Sequence, residues 1–581
     1  MVRRRRRWKI APPAPESILK SLDERSPVVA QVLYNRGLRT RFDVADFYDA
    51  RFDFDNPYRL KGVAEAVHRL RIAIRRKECV AIYGDFDVDG VTSSVLISKV
   101  FESLGIKYQL HIPHRIDEGY GLNKPAIKSL REKGCTLLLT VDCGIRSVDE
   151  VAYARRLGMD VILTDHHSVG PEIPPATAVI NPKQQGDRYP FKDLAGVGVA
   201  YKLAQGLIRA ERQMPSRKGA APGIAEEDLL DLVALGTVAD IVPLTGENRA
   251  LVRRGLERIN QASRPGLRAM IEESGLKPGK IDATAIGFVL GPRLNAAGRL
   301  ETALYSYRVL HTEDESEAME LAALLGKLNR TRQEMTEHSA EMAREQIAQT
   351  DPDAPIFLVD SPEFHRGIVG LVASRLTEEL HRPMLVARRE EVFTYGSARS
   401  IPAFHITHAL DKASNWLHRY GGHAAAAGFT LKTDNIDGFR NALLEIARQE
   451  FDEDSWTPEL LIDAKIGFRQ ITPDVYHEIA RMEPFGEGNP QPVFCSGPVE
   501  VRSARAVGNH NSHLKLFLAQ GGVGFGGIAF RRGELAEKLP SLVDIAFQIT
   551  MNEWNGNSKL ELLIVDILPA GEGCSGSDYL H

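Results

Sequence analysis

The chain has 581 residues, 43% of them hydrophobic and 26% charged, enough for roughly three or four domains of about 100–200 residues each. Lys+Arg 73 against Asp+Glu 77 gives a net charge of −4; that argues against a uniformly basic nucleic-acid binder but allows acids gathered at metals and bases lining a groove. No apolar run approaches the ~20 residues a bilayer span needs, so no membrane insertion is expected.

In chain order, Arg3 to Arg7 and Trp8 resemble the charged start of a signal peptide, but Ala11-Pro12-Pro13-Ala14-Pro15 stands where its apolar core should be. Residues 1–60 are therefore expected to form a basic arm, adding nonspecific phosphate attraction, and a helical segment. From about residue 61 the apolar runs Val80–Tyr83, Tyr108–Ile112, Leu137–Val141, Val161–Thr164, Ala178–Asn181 and Leu229–Ala239 alternate with amphipathic stretches, predicting a mostly parallel sheet covered by helices within 61–310. Gln213 to Gly223, polar and rich in Pro and Gly, reads as a mobile loop. Residues 311–352 predict connector helices, the last of them long, leading into a second α/β domain at 353–452.

From about 455 to 568 the texture changes to short alternating runs such as His513–Leu518 and Lys559–Val565, with turns at Gly521-Gly522 and Asn555-Gly556-Asn557. That predicts antiparallel strands closing into a small barrel, followed by a disordered Gly/Ser-rich tail at 569–581. The five cysteines (Cys79, Cys135, Cys143, Cys495, Cys574) are scattered and lack a C-x-x-C pair, so neither a disulfide framework nor a zinc cluster is expected and a reducing cytoplasm fits best.

The chemistry concentrates in Gly84-Asp-Phe-Asp-Val-Asp-Gly90, where Asp85, Asp87 and Asp89 follow a strand-like run and precede a helix-like stretch, Val91 to Ser103. Open α/β sheets bind ligands at such carboxyl ends of strands. An EF-hand loop fits positions 1, 3, 5 and 6, but its twelfth position is Leu96 rather than Glu, and a strand-like segment precedes it. A solvated acidic turn capping the next helix explains this motif alone as well as a metal site does. Three more apolar runs end the same way, at Asp142, at Asp165-His166-His167 and at Asp240, and four such ends in one α/β unit favour metal binding. Carboxylates with one or two imidazoles and no thiolate suit Mn²⁺ or Mg²⁺. Several of them together could hold two ions ~3.5–4 Å apart, the arrangement of phosphoester hydrolysis.

These segments together resemble the DHH phosphoesterase superfamily. Within it, Ile112–Leu122, Gly291-Pro-Arg-Leu-Asn-Ala-Ala-Gly-Arg299, Gly421-Gly-His-Ala-Ala-Ala-Ala-Gly-Phe429 and Glu483–Pro490 are similar to the bacterial RecJ family of single-strand-specific exonucleases. The resemblance spans about 60–567. It implies an α/β multidomain fold: a parallel-sheet DHH domain and a smaller α/β DHHA1-type domain joined by a long helix, then a C-terminal OB-fold β-barrel. It also implies a 5′→3′ exonuclease that releases 5′ mononucleotides from single-stranded DNA in recombination and repair, encircling the strand and so working processively. Asp87, Asp89, Asp142, His166 and Asp240 would be metal ligands, with Asp142 bridging; Asp85 and His167 would support them or touch the scissile phosphate. Tyr83 stands where the pyrophosphatase branch has a histidine ligand.

By the same resemblance Ser397, Arg399 and either Arg293 or Arg299 would bind a terminal 5′ phosphate, with His365 and His423 as further substrate contacts. For each arginine taken singly a surface ion pair is the commoner case, and in 421–429 tight helix packing by the alanines stands beside substrate contact. In the β-rich end Phe517, Phe525, Phe530 and Trp554 are candidates for base stacking, with Arg502, Arg505, Lys515, Arg531 and Arg532 nearby. Implied partners are single-stranded DNA, a single-strand-binding protein and a RecQ-type helicase, with a monomeric cytoplasmic enzyme. Two rivals stand beside this reading: hydrolysis of short RNA oligonucleotides or a signalling dinucleotide, and a non-catalytic replication scaffold.

Overall fold

The computed structural model describes residues 5–22, 26–49, 56–216, 222–261, 264–450, 456–554, 557–574 and 580. Part of the loop expected at 213–223 and part of the tail, residues 575–579 and 581, therefore lie outside the described residues. The chain divides into two compact units, one of residues 52–456 with 486–488, the other of 1–51 with 457–485 and 489–581.

In the first unit, five parallel strands run in the order Lys107–His111, Cys79–Tyr83, Cys135–Thr140, Asp160–Thr164, Ala178–Ile180. Alternate residues feed two cores. Val80, Ile82, Leu137, Leu139 and Ile162 pack under the helices Val63–Arg76, Val88–Ser103, Gly196–Gln213 and Leu230–Ala239. Ala81, Tyr83, Leu138, Val161 and Leu163 pack under Lys124–Glu132 and Val148–Arg156. Burial on both faces explains why these strands read as continuous apolar runs. The strand order reverses direction between Cys79–Tyr83 and Cys135–Thr140, so the loops after these two strands diverge and open a crevice at their carboxyl ends. Leu229–Ala239, grouped with the strand-like runs, is instead a helix from Leu230 to Ala239; its residues 230–237 are all buried, and a run apolar on every side does not by itself distinguish helix from strand.

A 34-residue helix, Glu315–Ala348, leads to the second domain of this unit; Asp314 caps it by accepting the Glu317 N–H at 2.8 Å. There the strands run Arg419–Gly422, Ala426–Lys432, Phe393–Arg399, Met384–Arg389, Phe357–Ser361, antiparallel except for the last pair. The glycine- and alanine-rich segment 421–429 is thus a hairpin and not a packed helix. Its glycines face each other across the strands (Gly421 opposite Gly428), and pairing to Phe393–Arg399 overrides the helical preference of alanine.

The second unit is a closed barrel. Its strands Phe494–Val507, His513–Gln520, Val523–Ala529, Asn557–Pro569 and Leu542–Trp554 follow one another around the ring, and the last pairs back to the first. Residues 5–22 and 26–49 belong to this unit, while Arg3 and Arg4 of the expected basic arm lie outside the described residues. Arg7–Ile10 pairs in parallel with Glu459–Ile462, Trp8 Nε1 donates to Asp566 at 3.0 Å, and Val28, Val29, Val32 and Leu33 enter the same core as Phe468, Phe494 and Phe547. The tail residues Gly571, Gly573 and Cys574, expected to be disordered, donate their N–H groups to the buried Asp544 carboxylate at 2.9–3.1 Å. All five cysteines are free thiols.

Leu33→Ala should cost the barrel unit ~2–5 kcal/mol, because the residue is fully buried and the cavity cannot close. Hydrogen exchange should then accelerate in peptides from 494–569 and stay unchanged in 79–83; acceleration in both would contradict the assignment of residues 26–35 to the barrel.

Candidate active site

The acids sit on the loops that the crevice exposes. Asp87 caps the helix Val88–Ser103 and accepts the Gly90 N–H at 3.1 Å. Gly90 has to lack a side chain, since a Cβ there would stand 2.6 Å from Asp85 atoms. Asp89, buried in the first turn, accepts the N–H groups of Gly196 at 2.6 Å and Val197 at 2.7 Å. Those donors open the helix Gly196–Gln213, so its positive end is spent on this carboxylate. A Cβ at Gly196 would lie 2.5 Å from Asp142 Oδ1, which is how closely this helix end approaches the second acid loop.

Asp142 itself adopts φ 60, and Ile241, directly after Asp240, also has φ 60. Left-handed backbone costs non-glycine residues energy, most of all a β-branched one, and such strain gathers at functional sites. His166 Nε2 lies 3.2 Å from Asp142 Oδ1, 3.5 Å from Asp240 Oδ2 and 3.8 Å from Asp89 Oδ2. His166 Nε2, Asp142 Oδ1 and Asp85 Oδ1 are all buried without a hydrogen-bond partner. Burial and the neighbouring His167 push the His166 imidazole down to about 3, so the ring is neutral. Burial and the mutual repulsion of the acids push Asp85 and Asp142 well up, Asp89 to about 7 and Asp240 to about 9.

Buried, mutually repelling carboxylates and a neutral imidazole without hydrogen-bond partners are a set that a bound cation would stabilise in its deprotonated form. Two separate sets are within reach of one, Asp85/Asp87/Asp142 and Asp89/His166/Asp240, and a third, Asp142/His166/His167, shares a residue with each; the donor atoms within each set lie within 4.8 Å of one another. Oxygen donors with a single neutral imidazole fit a hard divalent ion, and Asp142 belongs to two of the three sets.

Asp165 is not a ligand. Its Oδ1 accepts the N–H of His166 at 2.7 Å, the N–H of His167 at 3.0 Å and His167 Nδ1 at 2.8 Å, while Oδ2 accepts the Ile145 N–H at 2.9 Å. It fixes the turn that aims both histidines. Burial opposes charge on His167, but the hydrogen bond and charge of Asp165 outweigh it and raise its pKa. Tyr83 is fully buried, its hydroxyl donating to the Gly121 carbonyl at 3.1 Å and receiving the Asn123 amide at 3.0 Å, so it is a packing residue.

Beside Asp85 and Asp87 gathers a cluster of arginines. Arg115 lies over the Phe86 ring, 3.8 Å from its centroid, and its charge acts on Asp85 and Asp87. Burial and the charges of Arg115, Arg332 and Arg399 push Arg299 down to about 9. Among the described residues none of these four forms an ion pair, and Nε of both Arg115 and Arg332 is buried without a partner. Arg399 donates to Ser397 Oγ at 2.8 Å, and a Cβ on Gly370 would stand 3.1 Å from that oxygen. His365 accepts the Gly367 N–H at 3.1 Å, and Gly367 O receives Arg299 at 3.3 Å. Arg293, in contrast, pairs with Glu273 at 2.9 Å, a carboxylate it shares with Arg330. Exposed His423 feels the charges of Arg146, His167 and Lys183.

A model of the DHH family N-terminal domain matches residues 79–237, a DHHA1 domain model matches 353–449 and a RecJ OB domain model matches 462–566. Over 574 residues the chain is 38% identical to the single-stranded-DNA-specific exonuclease RecJ of Bacillus subtilis strain 168, covering 97% of this chain and 71% of that one. The chain belongs to the RecJ family. It is 35% identical over 564 residues to the Escherichia coli K12 member, covering 94% and 96% of the two chains. The crystal structure of RecJ in complex with Mn²⁺ from Thermus thermophilus matches with a TM-score of 0.82 at 32% identity, covering 97% of this chain and 79% of that one.

In the OB domain the stacking candidates separate. Phe525 is core, packed edge-on against Phe468 at 5.3 Å, while Phe517 and Phe530 are exposed; the Trp554 side chain lies outside the described residues. Phe517 shares a groove with Ser503, Arg505, Lys515, Asn552 and Lys559. Lys515 is paired with Glu561, Arg502 with Glu500 and Arg532 with Asp566, which leaves Arg505 as the groove arginine of that group.

Asp165→Asn keeps the size of the side chain but turns one acceptor into a donor facing N–H groups. Mn²⁺ affinity measured by titration calorimetry should fall ~10–100-fold with the fold retained; unchanged affinity would remove Asp165 from its aiming role.

Proposed function

We infer that the chain is a metal-dependent exonuclease specific for single-stranded DNA, serving recombination and repair, with Mn²⁺ or Mg²⁺ held by Asp85, Asp87, Asp89, Asp142, His166 and Asp240. The observation that carries this reading is the adjacency of partnerless buried acceptors to half-buried arginines that, among the described residues, form no ion pair. One group needs cations and the other an anion, and a polynucleotide end together with two metal ions supplies both. Bound ions would neutralise the phosphate and lower the pKa of a water.

The chain's own residues do the rest. Asp165 and the Gly196–Val197 N–H groups hold the donors in place before any ligand arrives, so little reorganisation accompanies binding. Arg299, Arg399 and Ser397 receive the terminal 5′ phosphate, with His365 bracing Gly367 and with Arg332 beside them. Arg115, which touches the electrostatics of both groups, spans from that phosphate to the scissile one. With the first phosphate so anchored, the second lies over the acids. Hydrolysis there breaks the bond from phosphorus to the 3′ oxygen of the first nucleotide, and a 5′ mononucleotide leaves. A chain without a free end has no phosphate to seat in the pocket. The OB groove at Arg505 and Phe517 binds the strand through charge and stacking. The proposal extends to a monomer in the reducing cytoplasm, supported by the five free thiols, acting on strands opened by a RecQ-type helicase and covered by a single-strand-binding protein.

Purified protein with Mn²⁺ should degrade a long 5′-phosphorylated strand and spare a closed circle; cleavage of a dinucleotide alone would overturn the proposal. Asp142→Ala should lower kcat by ~10²–10³-fold or more while strand binding persists. Arg299→Ala should raise KM and abolish the preference for a 5′-phosphorylated over a 5′-hydroxyl end. Arg293→Ala should leave that preference intact and cost ~1–3 kcal/mol of stability, read by denaturant unfolding.

A further inference from the structure

The acid cluster has two edges, and only one is accounted for above. Asp85 and Asp87 face Arg115 and Arg299. The other edge is Asp240 and His166, whose Oδ2 and Nε2 lie 3.5 Å apart, beside the turn of residues 166–168.

Arg146 and Lys183 are each fixed to the backbone of the turn that aims the histidines. Arg146 Nε donates to the Ser168 carbonyl at 3.0 Å. The Lys183 N–H donates to the fully buried Asn181 Oδ1 at 2.8 Å, and Asn181 Nδ2 donates to the His167 carbonyl at 3.0 Å. Both cations are exposed, and among the described residues neither is in an ion pair or donates its terminal nitrogens to a side chain. Arg146 also lines a surface cleft with Val148, Val169 and Glu172. An ordinary surface cation wanders; Arg146 is tethered to the 166–168 turn through Nε and Lys183 through its backbone N–H, which leaves the two terminal Arg146 nitrogens and the Lys183 ammonium for a ligand.

We propose that Arg146 and Lys183 form a clamp for the backbone phosphates on the 3′ side of the scissile bond. The proposal rests on the exonuclease reading, which sets the direction. A strand whose first phosphate occupies the arginine pocket and whose second lies over the acids has to leave past Asp240 and His166. Its third and later phosphates then meet Lys183 and Arg146. Such contacts hold the polymer between cleavage events and carry no sequence information.

The test compares a long 5′-phosphorylated strand with a 5′-phosphorylated dinucleotide, which places no phosphate beyond the scissile one. For Arg146→Ala and Lys183→Ala the ratio of kcat/KM on the long strand to that on the dinucleotide should fall roughly tenfold, through KM. The plot of log kcat/KM for the long strand against log salt should flatten by about 0.7 per lost phosphate contact, and Lys183→Arg should restore both. Damage to the fold or to the metal centre would lower both substrates together and leave the ratio unchanged. Wild-type cleavage of the long strand with an unaltered ratio and salt slope in the variants overturns the clamp alone. A wild-type protein that leaves the long strand uncut overturns the exonuclease reading and the clamp with it.

Discussion

Buried carboxylates that repel one another set the terms for everything around them. Asp85, Asp89 and Asp142 are almost fully buried and Asp240 largely so, and all four titrate far above the ordinary range of a carboxylate because of burial first and each other second. A cluster of this kind persists only if the scaffold forces it. Here the force comes from a parallel sheet whose strand order reverses at its centre, from the start of the helix Gly196–Gln213 pressed against two acid loops, and from left-handed backbone at Asp142 and Ile241. The stability of the hydrophobic layers above and below the sheet holds the electrostatic strain at its edge.

The arginines invert the same logic. Burial and like charges lower the pKa of Arg299 as burial and like charges raise those of the acids. Side by side, the two unfavourable clusters define a polarity: one place that wants cations, an adjacent place that wants an anion. A single free arginine would be a weak argument, since most surface arginines find a carboxylate, as Arg293 does in Glu273. Four arginines without ion pairs beside a glycine-lined hairpin and helix start are a different matter, because their repulsion is relieved only by a multivalent anion.

Much of this was legible in the chain. Strand ends are marked in sequence because a fully buried parallel strand is a solid apolar run, and an acid placed at its end is conspicuous; the loops carrying Asp85 to Asp89, Asp142 and His166 stand out in that way. The Asp of Asp165-His166-His167 was visible but its job was not, because a ligand and an aiming residue look alike until the donors around it are known. Arg332 left no signal, being a lone arginine in a long polar helix, whereas Arg115 lies inside the Ile112–Leu122 segment but nothing there singled out the arginine. The choice between Arg293 and Arg299 needed the position of Glu273, twenty residues upstream of one of them. The pairing of Arg7–Ile10 with Glu459–Ile462 joins segments about 450 residues apart, and neither periodicity nor composition encodes a partner at that distance. The alanine-rich hairpin at 421–429 ran against its local propensity, which tertiary pairing overrode.

End-dependence follows from where the two charged clusters are fixed relative to each other, and not from any one contact. The Gly298 backbone approaches the Phe86 carbonyl so closely that a Cβ would sit 2.7 Å from it, and a Cβ on Gly367 would collide with the Arg299 carbonyl in the same way. Those two contacts lock the helix Gly291–Leu300 to the Asp85–Asp89 loop on one side and to the 365–370 turn of the DHHA1 domain on the other. The spacing between the arginines and the acids is therefore a property of packed backbone. In the proposed reading that spacing is the ruler, one nucleotide long, by which a substrate would be measured from its end, and a larger side chain at either glycine would change its length before it changed any group proposed to touch DNA.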